Sequence, residues 1–246
     1  MSGHADAQVV LQATGVLRVL LIGEPSSVID ATERAFLDAA GQVSIAAEPS
    51  SAMDADLVVG AAAFALGGLD AVVRWTPIPP PRSILTDSPG ADDDRFVADI
   101  DRMLLGAQRV SLAAARVLAR SGGGAIVLVG PIDASHAYPG RCSVAAAMAG
   151  MMGLARGLAV ELAGDLVRTN VVLAGPMAAP DGDPDDDQAA RTLLRSPRPT
   201  LVTAAEVAAA IVFVAGRSSA FMTGQSLRVD AGWASLNQAP DGMHFV

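Results

Sequence analysis

Val19-Leu-Leu-Ile22 is an unbroken apolar run, closed by the turn Gly23-Glu24-Pro25-Ser26 and followed by helical spacing over Val28–Ala40. A strand that is apolar on both sides must be covered on both faces, as in a parallel sheet. A strand leading through a tight turn into a helix is the first half of a strand–helix–strand unit. Ser26 or Ser27 is the expected N-cap and Gly41 the expected left-handed terminator. The alternation then repeats. Val43–Ala47 is a second strand. Ser50 or Ser51 caps a helix that runs to Leu66 and stops at Gly67-Gly68, and Asp70–Val73 is a third strand. Pro77 to Pro89 reads as loop, 94–120 as a long helix, Ile126–Val129 as a strand and Ser143–Gly164 as a helix. Thr169–Leu173 is a strand, 176–200 a Pro- and Asp-rich loop, Ala204–Val214 a helix and Leu227–Val229 the last strand. The expectation is an α/β fold with a doubly wound parallel sheet of six strands, joined by right-handed crossovers. One domain spans 16–235, between a flexible extension (1–15) and a C-terminal tail (236–246).

Composition narrows the function classes. The chain has 246 residues, 51% of them hydrophobic and only 4% aromatic, and its net charge is −9. That charge repels nucleic acid and anionic membranes, so neither is an expected partner. The single Cys142 permits no internal disulfide and suits a reducing compartment. The first fifteen residues lack a basic region followed by an apolar one, and Leu57–Leu69 is too short to span a bilayer, so a cytoplasmic protein is expected. All 17 basic residues are arginine, and Tyr138 is the only tyrosine.

Three stretches carry a family resemblance: Leu154-Ala-Arg-Gly-Leu-Ala-Val-Glu-Leu162, Val167-Arg-Thr-Asn-Val-Val-Leu-Ala-Gly175 and Thr223-Gly-Gln-Ser-Leu-Arg-Val-Asp-Ala-Gly232. Over Val16 to Ser235 the chain resembles the short-chain dehydrogenase/reductase family, which implies a Rossmann-like fold, NAD-dependent hydride transfer and a Tyr with a Lys four residues later. Relative to that family a helix and a strand are missing between Ala47 and Ser50. Asn170, Gly175, Gly224, Gln225, Asp230 and Gly232 match the family pattern.

The family's functional positions do not match. Its T-G-x-x-x-G-x-G phosphate loop falls on Ile22 to Ile29, where only Gly23 is kept, and Glu24 and Asp30 add negative charge beside the helix N-terminus. Glu48 stands near the family's ribose-binding acid and is expected as a solvated loop carboxylate. The N-N-A-G stretch falls on Arg74-Trp75-Thr76-Pro77, where an Arg–Trp pair could plug the cofactor cleft, although Trp75 reads first as core or interface. The catalytic Ser, Tyr, Lys and Asn positions fall on Pro131, Val144, Met148 and Met103, and the nicotinamide-contacting Thr on Ala179. None of these can move a proton.

From these losses no catalytic, cofactor-binding or metal-binding residue is expected, and the chain is expected not to be an enzyme by itself. The pattern resembles a pseudoenzyme subunit that completes a heterotetramer with an active, NAD-dependent paralogue. The inactive subunit of the hydroxyacyl-CoA dehydrogenase of benzylsuccinate (anaerobic toluene) degradation is the case it is most similar to. NAD would then be held by the partner. The small-residue helix 143–164 is the expected interface, with Ala149 and Gly150 at its centre. Two alternatives stay open: a homo-oligomeric ligand-binding protein, and an enzyme with chemistry relocated to His136, Tyr138 and Arg141. The Asp181, Asp183, Asp185, Asp186, Asp187 run reads as a solvated segment rather than a metal site.

Overall fold

The computed structural model describes residues 16–76, 78–82, 91–136, 138–177 and 197–235. The 1–15 extension, the 236–246 tail, Ala179 and the Asp181–Asp187 run lie outside the described residues.

Six parallel strands form one sheet in the order β2-β1-β3-β4-β5-β6. They are β1 (Arg18–Ile22), β2 (Gln42–Ala46), β3 (Ala71–Trp75), β4 (Gly124–Pro131), β5 (Val167–Ala174) and β6 (Ser226–Val229). The order reverses between β1 and β3, which places a topological switch point at their carboxyl ends, where open α/β sheets bind ligands. The helices are α1 (Ser27–Asp38), α2 (Ala52–Ala65), α3 (Ala91–Ile100), α4 (Gly106–Arg120), α5 (Cys142–Glu161) and α6 (Ala204–Ala215). Both faces of the sheet are covered. Leu20, Ile22, Val72, Ile126, Leu128 and Val171 meet residues of α2, α4 and α5 on one face. On the other, Val19, Leu21, Val73, Val127, Val129 and Val172 meet residues of α1 and α6. The six strands and the alternation are as the apolar runs predict.

Local chemistry sets the helix ends. Ser26 accepts the Ile29 N–H at 3.3 Å and Ser51 the Asp54 N–H at 3.1 Å. Thr203 and Glu206 cap each other's backbone at the start of α6. The residue that reverses the chain after α1 is Ala40, with φ 59°, and not Gly41. Gly41 serves another need: a Cβ there would lie 2.8 Å from the Phe36 carbonyl oxygen.

The predicted long helix 94–120 is interrupted. Asp101–Leu105 forms one π-turn between α3 and α4. Helix α5 is long and apolar enough to cross a membrane by length and composition, yet Val144, Ala147, Met148, Met151, Ala155 and Leu158 are buried inside the protein. It is a core helix here.

Candidate functional site

At the carboxyl end of β4 the chain turns through Ile132–Ala134, one turn of 3-10 helix, and then loops to the start of α5. This turn buries Asp133, which is 2% exposed, and the loop returns Arg141 beside it, 5% exposed, with Nη1 4.0 Å from Asp133 Oδ2. Neither Asp133 oxygen has a hydrogen-bond partner among the described residues. Burial pushes the Asp133 carboxyl up to about 6, and the nearby Arg141 charge offsets part of that rise. A buried carboxyl whose pKa is raised beside a specific charge partner is a candidate acid–base group.

An aromatic cluster lies beside Arg141. The Tyr138 and Trp233 rings are stacked, with centroids 5.0 Å apart and planes inclined by 6°. The His136 ring meets Trp233 edge-on at 4.3 Å, and the Arg141 guanidinium lies 5.2 Å from the centre of the Tyr138 ring. His136, Tyr138 and Arg141, singled out in the sequence, are thus brought together. Sequence reasoning missed Trp233, which meets both the His136 and Tyr138 rings, and Asp133, the ion partner of Arg141. The available signal was a carboxylate directly after the apolar run Ile126 to Ile132. Next to this cluster, buried Ser143 donates a hydrogen bond to Asp99, tying α5 to α3.

The family's catalytic positions lie close by and are apolar: Val144 is 1% exposed and Met148 and Met103 are fully buried. Met103 belongs to the π-turn, and its carbonyl accepts from Arg74 at 3.2 Å. Trp75 and Arg74, adjacent on β3, point to opposite faces. Trp75 joins the α1/α6 core, as the sequence suggests.

Arg74 fills the switch-point crevice. It is 2% exposed, and its Nε donates to Glu48 at 2.8 and 3.0 Å, while Nη1 donates to Thr76 and Nη2 to the Arg102 carbonyl at 2.7 Å. Glu48 is therefore not a solvated loop carboxylate. The pairing survives because every donor of a buried guanidinium must be satisfied. Desolvation lowers the Arg74 pKa; it raises that of Glu48, with Arg74 opposing and Glu24 adding to the rise.

A dinucleotide does not fit these residues. A Cβ on Gly23 would lie 2.9 Å from the Trp75 carbonyl oxygen, so the one retained phosphate-loop glycine already serves strand packing. The Ile29 N–H, a donor a phosphate would use, is taken by Ser26. Glu48, at the ribose position, is committed to Arg74.

The residues that match the family serve architecture. Asn170 donates to the Met222 carbonyl at 2.8 Å and accepts from Gln225 N–H at 3.0 Å, joining β5 to the approach to β6. Asp230 accepts from the Gly232 and Ala234 N–H groups. A Cβ on Gly175 would meet Asp230 at 2.7 Å. Among the described residues no three His, Cys, Asp or Glu side chains are grouped to hold a metal.

Comparison with known proteins agrees with this frame. Residues 19–234 match the family model described as enoyl-(acyl carrier protein) reductase. The 3-oxoacyl-[acyl-carrier-protein] reductase of Salmonella typhimurium is 31% identical over 141 residues, 57% of this chain and 58% of that protein. The Vibrio harveyi reductase of the same name is 33% identical over the same shares. The alignment thus spans little more than half the length of these curated relatives. A solved structure described as a short-chain alcohol dehydrogenase from Sinorhizobium meliloti superposes with a TM-score of 0.77 at 22% identity, over 90% of this chain and 98% of that one. That likeness shows the fold.

The expectation of a chain that is not an enzyme is overturned by these findings, since the relatives are named as reductases. The expectation rested on the loss of the Tyr and Lys positions. That loss removes the family's customary acid–base pair at those positions. The sheet order, the matched span and the retained β5 and β6 motifs have one reading: the chain belongs to the short-chain dehydrogenase/reductase family of oxidoreductases.

Proposed function

We propose that this chain is an enzyme of its family that performs acid–base chemistry on a carbonyl compound, with Asp133 as the proton-accepting group and Arg141 as its electrostatic partner. The observation that carries this reading is the buried Asp133 carboxyl, at about 6, facing a guanidinium where β4 ends. As carboxylate, Asp133 takes a proton from the carbon next to a carbonyl. The electron pair moves to the carbonyl oxygen, where the Arg141 charge favours it. Return of the proton to carbon closes the cycle, so no reductant is consumed. His136 and Tyr138, both partly exposed, would line the approach. The relatives' name suggests the substrate class, a 3-oxoacyl thioester, and a cytoplasmic location is part of the same proposal. Deuterium incorporation next to the carbonyl, followed by proton NMR, tests it. Wild-type protein should exceed the uncatalysed rate, and Asp133→Asn should lose about 100-fold or more. Equal rates would sink the assignment.

A second reading concerns assembly and draws on the outer face of α5. Ala146, Ala149, Gly153, Gly157 and Val160 form an exposed stripe at helical spacing, and a Cβ on Gly153 or Gly157 would meet nothing within 4 Å. We propose this face as the contact with an NAD-dependent paralogue of the hydroxyacyl-CoA dehydrogenase kind in a heterotetramer. Gly150 is not part of it, because a Cβ there would lie 2.7 Å from Leu104 of the same chain. Native mass spectrometry of the co-expressed pair decides: Gly157→Glu should abolish the hetero-oligomer, and an intact one would remove this face from consideration.

A further inference from the structure

Helix α4 begins at Gly106, and a Cβ on that glycine would lie 2.7 Å from Arg74 Nη2 and 2.8 Å from Glu48 Oε1. The helix start, the β3 arginine and the glutamate after β2 therefore converge on one small volume at the switch point of the sheet. The π-turn supplies the rest of the arrangement. The Arg102 and Met103 carbonyls of that turn both accept from Arg74. Thr76 takes a further donor. Four protein groups hold the guanidinium, and only the Nε edge is met by a carboxylate.

We propose that the crevice is a carboxylate-recognition site whose ligand is the chain's own Glu48, and that this internal ion pair stands where a dinucleotide would lie. The inference is independent of the Asp133 assignment, since the two sites share no residue. An arginine held in place by neutral carbonyls and a hydroxyl is a preformed anion receptor. A buried guanidinium also cannot be left without its counter-charge at small cost. Glu48 supplies that charge from the segment after β2, reaching past the end of β1 to Arg74 on β3. Glu24 adds a second negative charge to the neighbourhood, as its effect on Glu48 records. A pyrophosphate would meet both carboxylates.

Removal of the internal ligand tests this. In Glu48→Ala the receptor stays built, with its Nε edge open to a small external carboxylate. The melting temperature should fall by about 10 °C, and formate should restore part of it while chloride at equal ionic strength should not. Glu48→Gln, which keeps an acceptor of the same shape, should fall less and respond less to formate. Isothermal titration of the wild-type chain with NADH should give no heat of binding in the micromolar range. The proposal is overturned if Glu48→Ala melts as the wild type does, if formate acts no better than chloride, or if NADH binds the wild type.

Discussion

Met148 fills the space above Gly130: a Cβ on that glycine would lie 2.8 Å from the methionine sulfur. Gly130 ends the apolar part of β4, and Met148, fully buried, holds the position at which the family carries its lysine. The pair is packed as core. Placing the family's residues back, as Pro131→Ser, Val144→Tyr and Met148→Lys together, puts an ammonium group into this apolar volume. The expected outcome is a stability loss of several kcal/mol and no NAD-dependent turnover, read by thermal denaturation and by absorbance at the nicotinamide band. Turnover in the triple variant would show that the Glu48–Arg74 pair leaves room for the cofactor.

Asp133 makes stability depend on pH in a direction opposite to that of a paired surface carboxylate. Its folded pKa, about 6, lies above the value of 3.8 for a free side chain. The protonated form is thus favoured by folding, and its contribution is fully present below pH 4. It is lost as pH rises from about 4 to about 6, amounting to about 3 kcal/mol at most. Asp133→Asn carries no such ionisation. The melting temperature of the variant, relative to wild type, should be higher at pH 7.5 than at pH 4.5. A constant offset would place Asp133 in a solvated site.

Gly106→Ala tests the crowding at the start of α4. Alanine is the better helix former by up to about 1 kcal/mol, so a solvated position would gain stability. Here the methyl group would strike Arg74 and Glu48, and a net loss of about 1–3 kcal/mol is expected in denaturant titration. A gain would show that the ion pair moves aside freely.

Leu166 offers a test in the stabilising direction. It is 71% exposed and adopts φ 58°, a left-handed conformation that costs a side chain about 1–2 kcal/mol. Leu166→Gly removes that strain against a smaller entropic cost, and should raise the urea midpoint slightly. A lower midpoint would mean that the leucine packs in solution.

The sheet was legible because its strands are continuous apolar runs and its helices start at Ser26, Ser51 and Thr203, whose caps are local interactions. The π-turn was not, since one extra residue between α3 and α4 leaves the apolar spacing of each helix intact. Arg74 and Glu48 lie 26 residues apart, and only the β1–β2 and β1–β3 registers bring them together. The same holds for Arg168, which donates to the Val214, Ala215 and Gly216 carbonyls and so caps the end of α6 from β5. The family motifs name only the positions where chemistry is customary. Asp133 lies outside those positions, and its character comes from burial.

The pH dependence of the proton-exchange rate tests the central assignment most directly. With Asp133 acting as a carboxylate base, the rate per enzyme molecule on a 3-oxoacyl thioester, corrected for the uncatalysed reaction, should rise with pH through an apparent pKa of about 6 and then level off. Asp133→Asn should abolish that rise, whereas His136→Gln should leave its midpoint in place. An unchanged profile in Asp133→Asn would contradict the account.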